Sequence, residues 1–273
     1  MSNTKALKVK ILVCCHKPDK WLSDDVYIPI HCGKAVSKVN LGIQGDDTGD
    51  NISTKNPDYC ELTAMYWAWK NLKEDYIGLV HYRRYFCLKK GRRDDWVNHV
   101  LTYSELEPML HQYRVFVPEK RHYYIETLYS HYAHTHYACQ LDCTREIIAE
   151  KYPDYLKSYD CVMKRTWGHM FNMFIMRRED MEAYCTWVFD VLFELEKRMP
   201  SSENLSDFQK RLYGRISEII FNVWLQHEID GGRMKKSEIK ELPCLHLEKI
   251  NWFKKGGAFL CAKIFKKKYE RGF

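Results

Sequence analysis

The sequence predicts an α/β fold whose second half is rich in helix, and three features predict it. Short apolar runs suited to buried strands recur at Lys8 to Cys15, Ile77 to Val80, Val115 to Val117 and Met170 to Met176. Stretches of helical periodicity lie between them, so strand and helix alternate as in α/β domains. The two longest amphipathic stretches, Arg178 to Arg198 and Phe208 to Ile229, both fall in the second half.

Taken in chain order, the first strand ends in Cys14-Cys15 and runs straight into His16-Lys17-Pro18. That is a usual opening of nucleotide-binding α/β domains and of many unrelated ones. Gly42 to Lys55 is turn chemistry, with Gly45, Asp46, Asp47, Gly49, Asp50 and Asn51. Asp58 then suits a helix N-cap and Glu61 its capping-box partner, and Leu62, Met65, Tyr66, Trp69 and Leu72 follow at helical spacing. This helix delivers the chain to Asp75–Phe86, where the strand Ile77 to Val80 emerges directly into His81, Arg83 and Arg84. Ligands of open α/β sheets collect where strands end, and adjacent guanidiniums there suit a phosphate or diphosphate. Ile125 to Lys151 has mixed helical character and carries His131, His134, His136 and Asp142, before Pro153 interrupts it. Gly231-Gly232 ends the last long helix.

The 273 residues, 45% of them apolar and 14% aromatic, can bury a core as one large domain. A net charge of +7 biases the surface towards anionic partners. The 11 cysteines form no paired Cys-x-x-Cys knuckles, and Met1 to Lys10 lacks the apolar stretch of an export signal, which together point to a reducing cytoplasm. No run reaches the roughly 18 apolar residues of a membrane span. The tail, 246–273, differs from the domain at 1–245: Trp252, Phe253, Phe259, Leu260, Ile264 and Phe265 are interleaved with lysines. Such a basic amphipathic segment suits a membrane surface, and it equally suits a helix packed on the domain. No nucleic-acid motif accompanies the charge, so nucleic acid is not an expected partner.

Several segments resemble the DUF4422 family of capsular and exopolysaccharide glycosyltransferases: Asn51-Ile-Ser-Thr-Lys-Asn56, Tyr59-Cys-Glu-Leu-Thr63 with Tyr66-Trp-Ala-Trp-Lys-Asn71, Gly78-Leu-Val-His-Tyr-Arg-Arg-Tyr-Phe86 and Asn172-Met-Phe-Ile-Met176. The resemblance implies a GT-A-like single domain with a central mixed sheet flanked by helices. It implies a UDP-sugar donor, with galactose or galactofuranose the first choice of sugar, and a lipid-linked oligosaccharide acceptor at the inner face of the cytoplasmic membrane. Capsule, exopolysaccharide or O-antigen synthesis is the implied setting. The competing reading is a non-catalytic glycan- or nucleic-acid-binding protein, drawn from the aromatic content and the charge.

Glycosyl transfer needs cations for a departing diphosphate and, for inversion, a carboxylate near the acceptor hydroxyl. At least one of Arg83 and Arg84 is expected to contact the diphosphate or the acceptor, and both are taken as donor-site residues with His81 and Lys17 beside them at strand ends. Asn56, Tyr59 and Glu61 lie in the family motif and are expected to border the donor, although Glu61 also suits a capping role. Asp160 and Glu218 are alternative general bases, with His169 a further catalytic candidate; His136, Asp142 and Asn172 are expected acceptor or sugar contacts. Many GT-A enzymes hold a metal with Asp-x-Asp at a strand end, whereas His81-Tyr82-Arg83-Arg84 stands here. Arginines in place of a metal favour metal-independent catalysis. Asp46, Asp47 and Asp50 are the alternative seat for Mg²⁺ or Mn²⁺, and a solvated turn is the plainer reading of that cluster. His131, His134 and His136 do not share one helix face, which argues against a three-histidine metal site.

Overall fold

A computed structural model describes residues 6–200 and 205–248. The expectation of a membrane-contacting tail falls almost entirely on 249–273, outside the described residues.

The strands are β1 (Val9–Cys15), β2 (Tyr27–His31), β3 (Gln44–Gly45), β4 (Tyr76–His81), β5 (Arg84–Phe86), β6 (Val115–Pro118), β7 (Arg121–His122), β8 (Trp167–Gly168), β9 (Phe174–Arg177), β10 (Ile239–Leu242) and β11 (Cys244–His246). Nine of them form one sheet, in the order β10-β6-β9-β4-β1-β2-β3 with β5 and β11 branching from β4; β7 and β8 make a separate ribbon. β1 runs parallel to β2 and β4, while β9 lies antiparallel between β4 and β6, so the sheet is mixed. The fold class read from the sequence, an α/β domain with a central mixed sheet flanked by helices, is the one observed. β11 carries His246 into this sheet, one position past the expected boundary at 245.

Side-chain alternation along the strands builds two cores. Leu12, Cys14, Ile77, Leu79, Phe174 and Met176 face the helices α2 (Leu62–Asn71), α7 (Arg178–Arg198) and α9 (Leu212–Asp230). Ile11, Val13, Val80, Phe116 and Ile175 face the other way, against Leu106 and Leu110 of α3 (Tyr103–Leu110). Between the two central strands' neighbours, Gly78 leaves no room for a Cβ, which would sit 2.9 Å from Ile175 and 3.0 Å from Ile11.

Three local departures from the sequence reading shape the cleft. Cys60, at φ 55°, separates a short helix α1 (Asn56–Tyr59) from α2, so the expected Asp58–Glu61 capping box does not form and the Glu61 side chain is free to point elsewhere. The strand expected from Met170 begins only at Phe174, because Phe171 and Asn172 turn the chain at φ 80° and 50°. The helix expected from Phe208 is broken at Arg211 into α8 (Asp207–Lys210) and α9. The remaining helices, α4 (Leu128–Thr135), α5 (Ala138–Lys151) and α6 (Leu156–Met163), pack around α7 and α9. No helix among the described residues is long and apolar enough to cross a membrane.

Candidate active site

The parallel strands β1, β2 and β4 end together, and a cleft of about 710 Å³ opens over their carboxyl ends. His16 follows β1, Cys32 follows β2, His81 ends β4, and Tyr82 and Arg83 turn the chain to Arg84 at the start of β5; Asn56, Glu61, Lys210, Arg211 and Glu218 complete the walls. A second lobe of about 300 Å³ adjoins it between α4, α9 and the β7–β8 ribbon. Cys60, Glu61, Arg84, Phe171, Arg211 and Glu218 line both lobes and so form the wall between them.

The turn at Phe171 organises that wall. Its carbonyl accepts a 2.6 Å hydrogen bond from His81 Nε2, its backbone lies close enough to the Glu218 carboxyl to favour the charged form, and its ring lies 4.6 Å beneath the Arg84 guanidinium. A bulky residue in the left-handed region costs on the order of 1–3 kcal/mol. Here one such residue holds an imidazole, a carboxylate and a guanidinium at once. Burial lowers the pKa of His81, which fixes the neutral ring with its proton on Nε2, since only a donor can bond a carbonyl. Asn172 donates to Glu61 Oε1 at 2.7 Å and to the Gly214 carbonyl at 2.9 Å, tying Glu61 to the same wall.

Glu218 is pushed above the ordinary carboxylate range, first by burial and then by the like charge of Glu61. A raised pKa makes it a stronger base once ionised. His16 moves down, through burial and the neighbouring Arg83 and Arg211. The Tyr82 hydroxyl is buried without a hydrogen-bond partner among the described residues, and Arg83 stacks 4.7 Å over its ring. Arg83 is also engaged by Glu248, with Asp19 3.9 Å away. Arg84 has no ion pair among the described residues.

Of the residues singled out by sequence, Asn56, Glu61, His81, Arg83, Arg84 and Glu218 line the main cleft, His136 lines the second lobe, and Asn172 positions Glu61 from behind. Lys17 is exposed and lines neither lobe, its neighbour His16 taking the position at the end of β1. Tyr59 is fully buried, its hydroxyl bonded to the Leu192 carbonyl and to Glu196, which makes it a core residue rather than a donor contact. Asp160 lies on α6 in a two-pronged ion pair with Arg145 at 2.7 and 2.8 Å, outside both lobes. His169 faces a different cavity and bonds the Pro118 carbonyl at 2.7 Å, its backbone held by the Asn222 side chain. Asp142 is exposed and accepts a hydrogen bond from Tyr129 at 2.9 Å.

The cations Lys210, Arg211 and Arg215 escaped the sequence reading, although Arg211, Arg215 and Glu218 recur at helical spacing on an otherwise apolar helix. His131 and His134 both bond Glu126, at 3.2 and 2.6 Å. Asp46 is buried and accepts from the Gly33 and Lys34 amides and from Ser53, so its lone pairs hold a loop instead of facing a cation. Among the described residues no group of three or more His, Cys, Asp or Glu converges as a metal site. At the end of β4, where the sequence comparison with Asp-x-Asp enzymes looks for metal-binding carboxylates, Arg83 and Arg84 stand instead.

The chain belongs to the DUF4422 family, a domain of unknown function, whose model matches residues 10–229. It is similar in structure to the apo form of the bifunctional glycosyltransferase WbbM, with a TM-score of 0.81 and 31% identity over 89% of this chain. That likeness accords with the GT-A-like fold expected from the resemblance. This chain spans 46% of WbbM, about half its length. The chain matches no curated protein sequence.

Proposed function

We propose that this chain is a glycosyltransferase that moves a sugar from a UDP-sugar to an acceptor hydroxyl without a metal ion. The observation that carries the reading is the shared wall: two carboxylates, Glu61 and Glu218, stand between an arginine-lined cleft at the strand ends and a second, smaller lobe. The nucleotide and sugar occupy the larger lobe. Arg83, Arg84, Lys210 and Arg211 take the diphosphate charge that a divalent ion carries in Asp-x-Asp enzymes. The acceptor enters the smaller lobe, where Glu218 removes the proton from its hydroxyl as the oxygen attacks the anomeric carbon and the diphosphate departs. Glu61, held by Asn172, fixes the sugar hydroxyls. The outcome is inversion at the anomeric carbon. Family resemblance supports galactose or galactofuranose as the sugar, a lipid-linked oligosaccharide of a bacterial surface polysaccharide as the acceptor, and the inner membrane face as the place of reaction. The similarity to WbbM supports glycosyl transfer as the reaction class.

A thermal-shift titration tests the donor half of this reading. UDP-sugar at about a hundred times its Kd stabilises a chain of this size by about 2.7 kcal/mol, roughly 5–10 °C in Tm, with or without chelator. A shift that appears only with Mn²⁺ contradicts metal independence, and no shift with any nucleotide sugar contradicts the donor site.

A further inference from the structure

The smaller lobe holds more positive charge than a neutral acceptor requires. Arg83, Arg92, Arg114, Arg145, Arg198 and Arg233 all sit in ion pairs. Arg84, Arg121 and Arg215 all line the smaller lobe, and none of them is ion-paired among the described residues. Each instead rests on an aromatic ring: Arg84 4.6 Å over Phe171, Arg121 5.0 Å over Tyr123 and Arg215 4.2 Å over Phe208. A ring beneath a guanidinium covers its face and leaves the in-plane N–H groups to bind, the geometry that phosphate oxygens accept. Nη2 of Arg215 is buried without a hydrogen-bond partner among the described residues. A buried donor on a cation is costly to leave unmet, and an anionic ligand would offset that cost.

The two carboxylates of this lobe, Glu61 and Glu218, belong to the wall shared with the donor cleft. Arg121 and Arg215 line the smaller lobe and not the larger one, and their charge reaches Glu218 at the shared wall. A space of about 300 Å³ suits one sugar ring and one phosphate better than a longer glycan. At its rim, directly after the lining residue Tyr123, Tyr124 is 84% exposed and Ile125 71% exposed. Tyr124 adopts φ 56° and the Ile125 amide bonds the Tyr123 carbonyl at 2.7 Å, a tight turn that holds both apolar side chains outward.

We propose that the smaller lobe takes a phosphorylated monosaccharide as acceptor, its phosphate bound by Arg121 and Arg215 and its apolar carrier passing Tyr124 and Ile125. The proposal rests on the glycosyltransferase reading and replaces its oligosaccharide acceptor with a single phosphorylated sugar on the same kind of apolar carrier. The acceptor oxygen replaces the diphosphate oxygen at the anomeric carbon, the hydroxyl proton passes to Glu218, and the acceptor's own phosphate ester stays intact. The reaction that supplies this substrate is then a transfer of sugar phosphate onto an apolar carrier phosphate or alcohol.

Calorimetric titration of the full chain with decyl glucosyl phosphate, glucose 1-phosphate and decyl glucoside tests it, with UDP titrated in parallel. Both phosphates should bind at least about tenfold more tightly than decyl glucoside, and Arg121→Gln and Arg215→Gln should each remove most of that margin while UDP affinity is kept. Ile125→Ser should weaken the decyl phosphate and leave glucose 1-phosphate unchanged, which identifies an apolar carrier; equal binding of both phosphates in wild type and Ile125→Ser rejects the carrier and leaves a free sugar phosphate. Decyl glucoside binding as tightly as the phosphates overturns the proposal. So does a loss of UDP affinity in Arg121→Gln equal to its loss of sugar phosphate, since the arginines then serve the donor. Phosphate selectivity in a chain that binds no UDP would strike the donor reading and leave the acceptor site standing.

Discussion

Replacing Glu218 by Gln removes the proposed base while keeping its size. A positioned general base contributes about 10²–10⁴ in rate, or roughly 3–5 kcal/mol of barrier. The expected loss in kcat/KM falls in that range. The pH profile carries more information than the rate. Burial and Glu61 hold the Glu218 carboxyl above its ordinary value, so the acid limb of the wild-type profile should lie above the usual carboxylate range, and Glu218→Gln should abolish it. Stability moves the opposite way. Because folding raises this pKa, the protonated carboxyl stabilises the fold below its unfolded pKa, and that contribution is lost as pH rises through the folded one. Glu218→Gln should therefore raise Tm at pH 8, with the gain shrinking towards pH 4. UDP release and Tm measured across pH on both proteins give the result. Activity within threefold of wild type, or an unchanged acid limb, refutes Glu218 as the base; the same loss appearing in Glu61→Gln instead would transfer the role.

Other perturbations separate the cleft from its surroundings. Glu248→Gln frees Arg83 from an ion pair that is largely open to solvent, and should tighten UDP binding by a few fold, in line with the roughly 0.2–1 kcal/mol of exposed pairs; calorimetry reads it. Asn172→Ala removes its hydrogen bonds to Glu61 and to the Gly214 carbonyl and releases Glu61, costing about 1–3 kcal/mol in denaturant unfolding together with a drop in kcat. Tyr59→Phe should lose about 1 kcal/mol of stability with UDP affinity kept, because its hydroxyl serves Leu192 and Glu196 in the core. Asp160→Asn should cost no more than about 1 kcal/mol and leave turnover intact, its ion pair with Arg145 being on the surface.

The strand ends were legible because the signal is local. An apolar run that stops abruptly in His81, Arg83 and Arg84 reads as a buried strand delivering charge to a sheet edge, and that is how β4 is built. Tyr59 was misjudged for the converse reason: a four-residue helix has no period long enough to tell its core face from its cleft face. Asp160 and Glu218 looked alike in sequence, since an exposed ion pair and a buried wall position differ only in what long-range packing brings near them. The turn at Phe171 and Asn172 was hidden as well, because bulky residues seldom adopt the left-handed region and the surrounding Met and Phe residues continue a strand-like run. Arg211 and Arg215 were within reach, their helical spacing with Glu218 being a polar stripe on an apolar helix. Edge elements such as β10 and β11, built from short segments with charged residues, gave no periodic signal.

The central claim is metal-free sugar transfer across the wall formed by Glu61 and Glu218. Its most direct test is product analysis by mass spectrometry after incubation with UDP-sugars and decyl glucosyl phosphate in the presence of chelator. UDP and an acceptor enlarged by one sugar should appear in equal amounts, with both lost in Glu218→Gln. UDP-sugars left intact at every acceptor concentration, or transfer that appears only when Mn²⁺ or Mg²⁺ is restored, would contradict it.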